Sequence, residues 1–315
     1  MSYSHSPKDT WKAILLPDLQ NYTNDEANFE FLRETLNWIV THRVEERIQM
    51  VLQVGDLTDQ NQPNQWQRAK SAFEILDGKV PYALTVGNHD LGTLEIGENR
   101  STLLNKYLSP ADNPLNRNQF VAFYEDQRLE NTASVFHLGS EDWLVLALEF
   151  GPRQPVVEWA HNVLSQHADK PTILLTHEYI DQLSQVSSGQ VRRSYPETYN
   201  SPYNYGIAHE AGGVHCGQEL WKTLVEPHSQ IYLTVNGHYR PFQRDAKGNI
   251  LPVPGVAEAK RTDERVDGTL VHQHFFNAQW APNGGDGWIQ ILEFENAGKL
   301  IDTQPFQAVA ELTTA

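Results

Sequence analysis

The chain has one cysteine, Cys216, in 315 residues. A lone thiol excludes an intrachain disulfide framework and any zinc site built from a cysteine cluster. Long apolar runs are missing as well. The longest, Trp143 to Leu148, is far short of the ~20 residues a membrane-spanning helix needs. The N-terminal stretch Met1-Ser-Tyr-Ser-His-Ser-Pro-Lys-Asp9 lacks a basic start followed by an apolar segment, so no signal peptide is expected. A cytoplasmic protein away from membranes is the expectation. Positive charge is also scarce: 24 lysines and arginines face 40 aspartates and glutamates, a formal net charge of −16. A polyphosphate backbone would be repelled, and nucleic acid is not an expected partner. Neither a Gly-rich phosphate loop nor a Gly-x-Ser-x-Gly elbow is present, which disfavours nucleotide kinases and serine hydrolases.

Aromatic residues are plentiful. Eight tryptophans and twelve phenylalanines can fill a sizeable core, so the chain is not disordered. At roughly 150 residues per domain the length allows two domains or one large one. Trp11 to Leu16 reads as a buried strand stopped by Pro17. Asn24-Asp-Glu opens a helix that runs to about Arg47, with Phe29, Leu32, Leu36, Ile39 and Val40 at helical spacing. Ile48 to Val54 is a strand, Pro63 to Leu76 a helix and Tyr82 to Val86 a strand. This alternation is the mark of a parallel sheet with crossover helices. Gly92 to Asn118 reads as loops with a helical excursion. Ala133 to His137 and Trp143 to Leu148 form a hairpin. Val156 to Gln166 and Gln218 to Val225 are helices, and Thr172 to Leu175 and Ile231 to Val235 are strands. Leu270 to Phe276 and Trp288 to Phe294 are late strands. There is no repeat and no convincing linker, so 1–315 reads as a single domain. Segment 182–213 has little apolar periodicity and is a candidate substrate lid, with Arg192 and Arg193 among many tyrosines.

Polar residues of one kind close the strands. The ends carry Asp18-Leu-Gln20, Gly55-Asp56, Gly87-Asn88-His89-Asp90, Thr176-His177 and Asn236-Gly237-His238. Ligands of open α/β sheets bind at the carboxyl ends of strands. Carboxylate, amide and imidazole together suit manganese, iron or zinc. Singly, each piece is weak: an Asp after a strand is usually a turn or cap residue. The bland reading fails because all five occur in order, each at a strand end.

The ordered set resembles the calcineurin-like metallophosphoesterase superfamily. The resemblance implies a four-layer α/β/β/α sandwich of two mixed sheets with flanking helices, the late strands fitting the second sheet. It implies one or two divalent metal ions, a small phosphoester substrate, and hydrolysis by a metal-activated hydroxide. Asp56 would bridge the metals, and Asn88, His177 and His238 would complete one site. Asp18 and Gln20 would serve the other. That second site departs from the pattern twice: Gln20 replaces a histidine, and Arg240 stands where the last histidine is expected. Arginine stays protonated and cannot ligate a metal. Leu16-Pro17-Asp18-x-Gln20 is similar to one bacterial branch of the superfamily, and Asn277-Ala278-Gln279 matches that branch's late Asn-x-Gln. Arg261-Thr262 is a further candidate of the same pattern. Substrate contacts are expected from Arg240, Arg192, Arg193, Asn277 and Gln279. His89 is expected as general acid, its ring oriented by Asp90. The alternatives are a nuclease or cyclic-nucleotide phosphodiesterase on the same scaffold, or a metal-binding interaction protein with lost or weak turnover.

Two other motifs carry less. His209 to His215 resembles a zinc-protease motif but has two residues too many between its histidines. His272 and His274 share a strand face and could replace a ligand, though a half-buried sheet pair is the commoner use.

Overall fold

Along Thr10–Leu16 successive side chains point to opposite sides, and both sides are apolar. Trp11, Ala13 and Leu15 face one way, Ile14 and Leu16 the other. Such a strand needs a cover on each face. The computed structural model, which describes residues 9–181, 201–247 and 250–309, supplies both.

The strands are β1 (Thr10–Leu16), β2 (Ile48–Gln53), β3 (Tyr82–Leu84), β4 (Phe120–Phe123), β5 (Thr132–Leu138), β6 (Glu141–Leu148), β7 (Thr172–Thr176), β8 (Ile231–Asn236), β9 (Phe242–Arg244), β10 (Ile250–Pro252), β11 (Gly255–Glu264), β12 (Leu270–Trp280), β13 (Trp288–Glu295) and β14 (Leu300–Gln307). The helices are α1 (Gln20–Asn24), α2 (Glu26–His42), α3 (Pro63–Phe73), α4 (Leu104–Tyr107), α5 (Gln154–Gln166) and α6 (Gly217–Leu220), the last continued by a π turn, Trp221–Val225. One sheet has the order β14-β13-β1-β2-β3. The other runs β11-β12-β8-β7-β6-β5-β4, and β9 and β10 form a separate hairpin. Both large sheets are mixed, with β1, β2 and β3 parallel in the first and β6, β7, β8 and β12 parallel in the second.

Three apolar layers hold these sheets. Trp11, Ala13, Leu15, Met50 and Leu52 of the first sheet meet Trp143, Val145, Ile173, Leu233 and Phe276 of the second between the sheets. The outer face of the first sheet packs on Phe29, Leu32, Leu36 and Ile39 of α2 and Trp66, Ala69 and Phe73 of α3. The outer face of the second packs on Val156, Val157, Ala160, Val163 and Leu164 of α5 and on Leu220 of α6. The result is the α/β/β/α order of layers. Each fully buried Leu, Val or Phe contributes about 1.5–3 kcal/mol of transfer free energy, so the double-faced strands are the strongest organisers of the fold. Trp11 stacks on Phe294 at 4.2 Å between centroids and meets Trp143 edge-on at 5.9 Å, near the amino end of β1. The carboxyl ends of β1, β2, β3, β7, β8 and β12 gather at the other end.

The helix expected to reach Arg47 stops at His42, because Arg43 already turns toward β2: its carbonyl accepts the Ile48 N–H at 2.8 Å. The strand expected to end at Phe276 continues to Trp280, its polar Asn277 and Gln279 having hidden the extension. Of the two late strands expected from the sequence, only the one beginning at Leu270 joins the second sheet. Trp288–Glu295 instead pairs antiparallel with β1 in the first, where Leu292 and Phe294 find the inter-sheet core. Of the expected lid, 182–200 lies outside the described residues, and Arg192 and Arg193 with it. Ser201 to Gly213 forms short 3-10 turns.

Candidate metal centre

The turn after β2 is pinned by its own strand. Gln53 donates Nε2–H to the Gly55 carbonyl (2.6 Å) and accepts the Gly55 N–H on Oε1 (2.9 Å). Gly55 and Asp56 then take φ of +100° and 52°. Space, as well as backbone freedom, requires the motif glycines. A Cβ on Gly55 would lie 2.6 Å from His177 Nδ1, one on Gly87 2.0 Å from Asp56 Oδ1, and one on Gly237 2.2 Å from Asp18 Oδ1. Each glycine makes room for a polar side chain from another strand end.

Four side chains converge at the seam between the sheets. His177 donates Nδ1–H to the Val54 carbonyl at 2.7 Å, which leaves Nε2 as a bare acceptor. Around that atom lie Asn88 Oδ1 at 3.1 Å, His238 Nδ1 at 3.2 Å and Asp56 Oδ2 at 3.3 Å. Three of these donors, from Asp56, His177 and His238, lie within 4.8 Å of one another and all are buried. With Nδ1 of His177 protonated, the Asn88 and Asp56 oxygens face the Nε2 lone pair with their own, and a positive charge at that atom relieves the arrangement. The electrostatics of the pocket favour positive charge there. Burial opposes an imidazolium at His177, but the Asp56 carboxylate outweighs it and pushes His177 up to about 9. Burial also penalises the Asp56 carboxylate, yet His177 and His89 pull it down to about 2. The residues present therefore fit a divalent cation with mixed oxygen and nitrogen ligands.

The two histidine turns are fastened from behind. Asn236 donates Nδ2–H to the Ile180 carbonyl (2.9 Å) and accepts the Ile180 N–H (3.2 Å). The Tyr239 hydroxyl donates to Glu178 Oε1 at 2.5 Å. His238 itself sits at φ 77°, a conformation L-residues rarely adopt, and Phe150 packs on both imidazoles, with centroids 5.7 Å from His177 and 5.2 Å from His238.

Asp18 occupies the neighbouring position and is wholly buried. Its Oδ2 accepts Asn277 Nδ2–H at 2.7 Å and Gln279 Nε2–H at 2.9 Å, and the His238 N–H lies 3.2 Å from both carboxylate oxygens. The Asn277 amide cannot be reversed, because its Oδ1 accepts the Gln279 N–H at 3.0 Å. Burial pushes Asp18 up to about 7. Gln20 is buried beside it in the chain. Among the described residues its Oε1 has no hydrogen-bond partner, and Gln279 Oε1 has none either. Orphaned carbonyl oxygens suit a hard cation or a bound donor more than a soft metal.

Several expectations change. Asp90 does not orient the His89 ring. It is fully buried and accepts N–H bonds from Gly87 (2.9 Å), Leu57 (3.1 Å) and Thr58 (2.8 Å), and the Thr58 hydroxyl (2.9 Å). The ring is held by Asp59, whose carbonyl accepts Nδ1–H at 2.7 Å and whose carboxylate lies 3.4 Å away. Burial opposes charge on His89, but Asp56 and Asp59 outweigh it and push the ring up to about 9. Asn277 and Gln279, expected as substrate contacts, are buried with their N–H donors committed to Asp18. Arg240 makes no ion pair among the described residues; its guanidinium lies 4.0 Å from the centroid of the Trp280 ring, with Nε buried and unpaired. Arg261 pairs with Asp263 and lies opposite Gln273, well down the strand from Asn277. His272 and His274 lie in the same lower part of β12, beside Leu233 and Val235 of β8, and take no part in the cluster. Asp59, Gln53 and Phe150 were missed by the sequence reading. Only Asp59 had a signal, as the second acid of Gly55-Asp-Leu-Thr-Asp59.

The model of the calcineurin-like phosphoesterase family matches residues 12–257, most of the chain. The chain belongs to this family. It is a metallophosphoesterase domain. A curated relative, the uncharacterized protein YvnB of Bacillus subtilis (strain 168), is 25% identical over 301 residues, covering 95% of this chain and 20% of that protein. The chain thus spans a small part of the length of the curated relative it matches. Similar solved structures include the 5'-nucleotidase precursor of Thermus thermophilus (13% identity, 94% of this chain and 54% of that one, TM-score 0.47). The NAD nucleotidase NadN of Haemophilus influenzae is another (14% identity, 95% and 50%, TM-score 0.49). Among the described residues no helix is long and apolar enough to cross a membrane.

Proposed function

We propose that this domain hydrolyses a small phosphoester with the help of divalent metal, held first by Asp56, Asn88, His177 and His238. The observation that carries the reading is the convergence of Asn88 Oδ1, Asp56 Oδ2 and His238 Nδ1 on the bare Nε2 of His177. A divalent cation bound there supplies Lewis acidity toward phosphoryl oxygens and acidifies water from a pKa of 15.7 toward about 7. Manganese, iron or zinc satisfies this donor set. Family membership and the buried cluster support this chemistry in general; the roles of single residues are our assignment.

The chain's own residues do the rest. The His89 N–H holds Asp56 Oδ1 at 2.9 Å, so the backbone that orients a ligand also places the His89 ring beside the centre. Its Nδ1 is taken by Asp59, which leaves the Nε2 proton for the leaving oxygen. Asp18 and Gln20 form the flank next to the cluster, and Arg240, flat against Trp280, offers a fork of donors to phosphoryl oxygens. The net charge of −16 supports a small substrate over nucleic acid.

Metal analysis together with a panel of phosphomonoesters and diesters tests the reading. Chelation should abolish turnover, and manganese or iron should restore it best. Full rate in metal-free protein would refute the metal mechanism, and stoichiometric metal without turnover of any ester would favour a binding role. His89→Ala should lower kcat by roughly 10²–10⁴, and less with good leaving groups.

A further inference from the structure

The structure assigns a second recognition element, beside His89 and away from the metal ligands. We propose that the loop Leu91 to Ser101 forms a subsite for an uncharged, ring-bearing leaving alcohol of the phosphoester. The inference rests on the phosphoesterase reading and adds the class of substrate to it.

The loop begins one residue after the His89-Asp90 pair. Between it and Gln60 and Gln62 lies a cavity of about 390 Å³, lined also by Leu91, Leu94, Glu95 and Ile96. That volume is in the range of small-molecule sites, ~300–1,000 Å³. Gln60 directly follows Asp59, whose carbonyl holds the His89 ring at 2.7 Å. Both walls of the cavity thus follow directly in the chain from residues that place the proton donor: Gln60 from Asp59, and Leu91 from the His89-Asp90 pair.

The loop is built rather than slack. Asn61, buried at φ 52°, ties down its base with all four of its side-chain bonds. Nδ2 donates to the carbonyls of Gly92 (2.8 Å) and Ser101 (3.2 Å), and Oδ1 accepts from Trp66 Nε1 (2.7 Å) and Leu103 N (3.0 Å). Gly92 N–H closes onto the Ser101 carbonyl, and Gly97 N–H onto the Leu91 carbonyl, both at 2.9 Å. Gly92 is at φ +101°, where a Cβ would meet the Glu95 carbonyl at 2.1 Å. Glu98 braces the tip by accepting from Leu94 N–H and the Thr93 hydroxyl.

This framework holds Leu94 at 89% exposure and Ile96 at 39%. A single exposed leucine is ordinary on a protein surface. Here two apolar side chains line one cavity on a loop whose backbone is held by hydrogen bonds, two residues along the chain from the proton donor. Charge selects the occupant. Among the described residues, the only charged side chain lining the cavity is Glu95, and no lysine or arginine lines it. A leaving group bearing a carboxylate or a further phosphate would be repelled, while the amides of Gln60 and Gln62 can satisfy a neutral polar edge.

The test is binding of non-hydrolysable phosphonates to the manganese-loaded protein by calorimetry, with matching aryl and methyl phosphate esters assayed in parallel. Phenylphosphonate should bind better than methylphosphonate, and a carboxylated phenylphosphonate worse than phenylphosphonate. Leu94→Ala should lower the phenyl-over-methyl affinity ratio by roughly 3–10-fold, the share expected from part-burial of one leucine. Glu95→Lys should reverse the order of the carboxylated and plain phenyl ligands. Equal binding of phenyl and methyl ligands, or a ratio that Leu94→Ala leaves alone, overturns the subsite. If the phosphonates bind in the expected order but no ester is turned over, the subsite stands and the hydrolase reading fails.

Discussion

Replacing Asp90 by alanine separates its observed role from the one its position after His89 suggests. The carboxylate accepts three backbone N–H groups and one hydroxyl, all buried. A hydrogen bond to a charged group contributes roughly 1.5–3 kcal/mol, and each buried N–H left unpaired costs about 1–3 kcal/mol. These terms are not additive, and Asp90 is itself resisted by burial, which pushes it up to about 6. A net loss of about 3–5 kcal/mol is expected, the scale of breaking a buried charge network. For a domain of this size that is on the order of 6–10 °C in Tm. Because the bonds tie the Leu57-Thr58 turn to Gly87, cation affinity at Asp56 should fall with it. Asp90→Asn keeps one carbonyl acceptor and should lose less than Asp90→Ala. Thermal unfolding, calorimetric metal titration and rates across leaving groups of graded acidity read the three effects apart. Native stability in Asp90→Ala, combined with a rate loss confined to poor leaving groups, would refute the reasoning and restore Asp90 as the partner of His89.

Gly87→Ala would set a Cβ 2.0 Å from Asp56 Oδ1 and should weaken metal binding by roughly 5–150-fold, the effect of ~1–3 kcal/mol of overpacking; native affinity by calorimetry would show that the turn yields. Arg240→His puts an imidazole two residues after His238 in place of a group that cannot ligate and should tighten a second metal equivalent by roughly tenfold; unchanged stoichiometry would mean that position 240 stays on the Trp280 side, away from it. Burial and then the neighbouring His161 push His228 down to about 4, and burial, Lys260 and His272 push His274 down to about 3. Both titrate near 6.5 when unfolded, so between that pH and their folded values the unfolded chain binds more protons. The contribution of these two histidines to stability should therefore be full above pH 6.5 and decline on acidification through this window, opposite in sign to that of Asp18 and Asp90, which burial pushes up. Urea midpoints should show it as a gap between the parent protein and His274→Gln that shifts in favour of the variant as pH falls from 6.5; a gap independent of pH would refute the assignment.

The order of elements and the place of the clustered polar side chains at strand ends could be read from the chain. Apolar runs stopped by polar residues are local facts, and β1, β2, β3, β7 and β8 were found because each buries a continuous apolar stretch. So were Asp56, Asn88, His177 and His238, since a glycine or a strand end marks each of them. What pairs across long separations was not legible. Asn277 and Gln279 are amides that could face a substrate as well as a carboxylate. Only the register of β12 beside β8 turns their donors onto Asp18, some 260 residues earlier in the chain. Asp59 and Asp90 lie three and thirty-four residues beyond Asp56, and sequence distance favoured Asp90 for the His89 ring. The 3-10 turn at Asn88–Asp90 sends neighbouring side chains in different directions, so the nearer residue in sequence became the anchor of the turn and the ring went to Asp59. Local chemistry determined which residues are at the centre. Which lone pair faces which donor was decided by the packing of two sheets against each other.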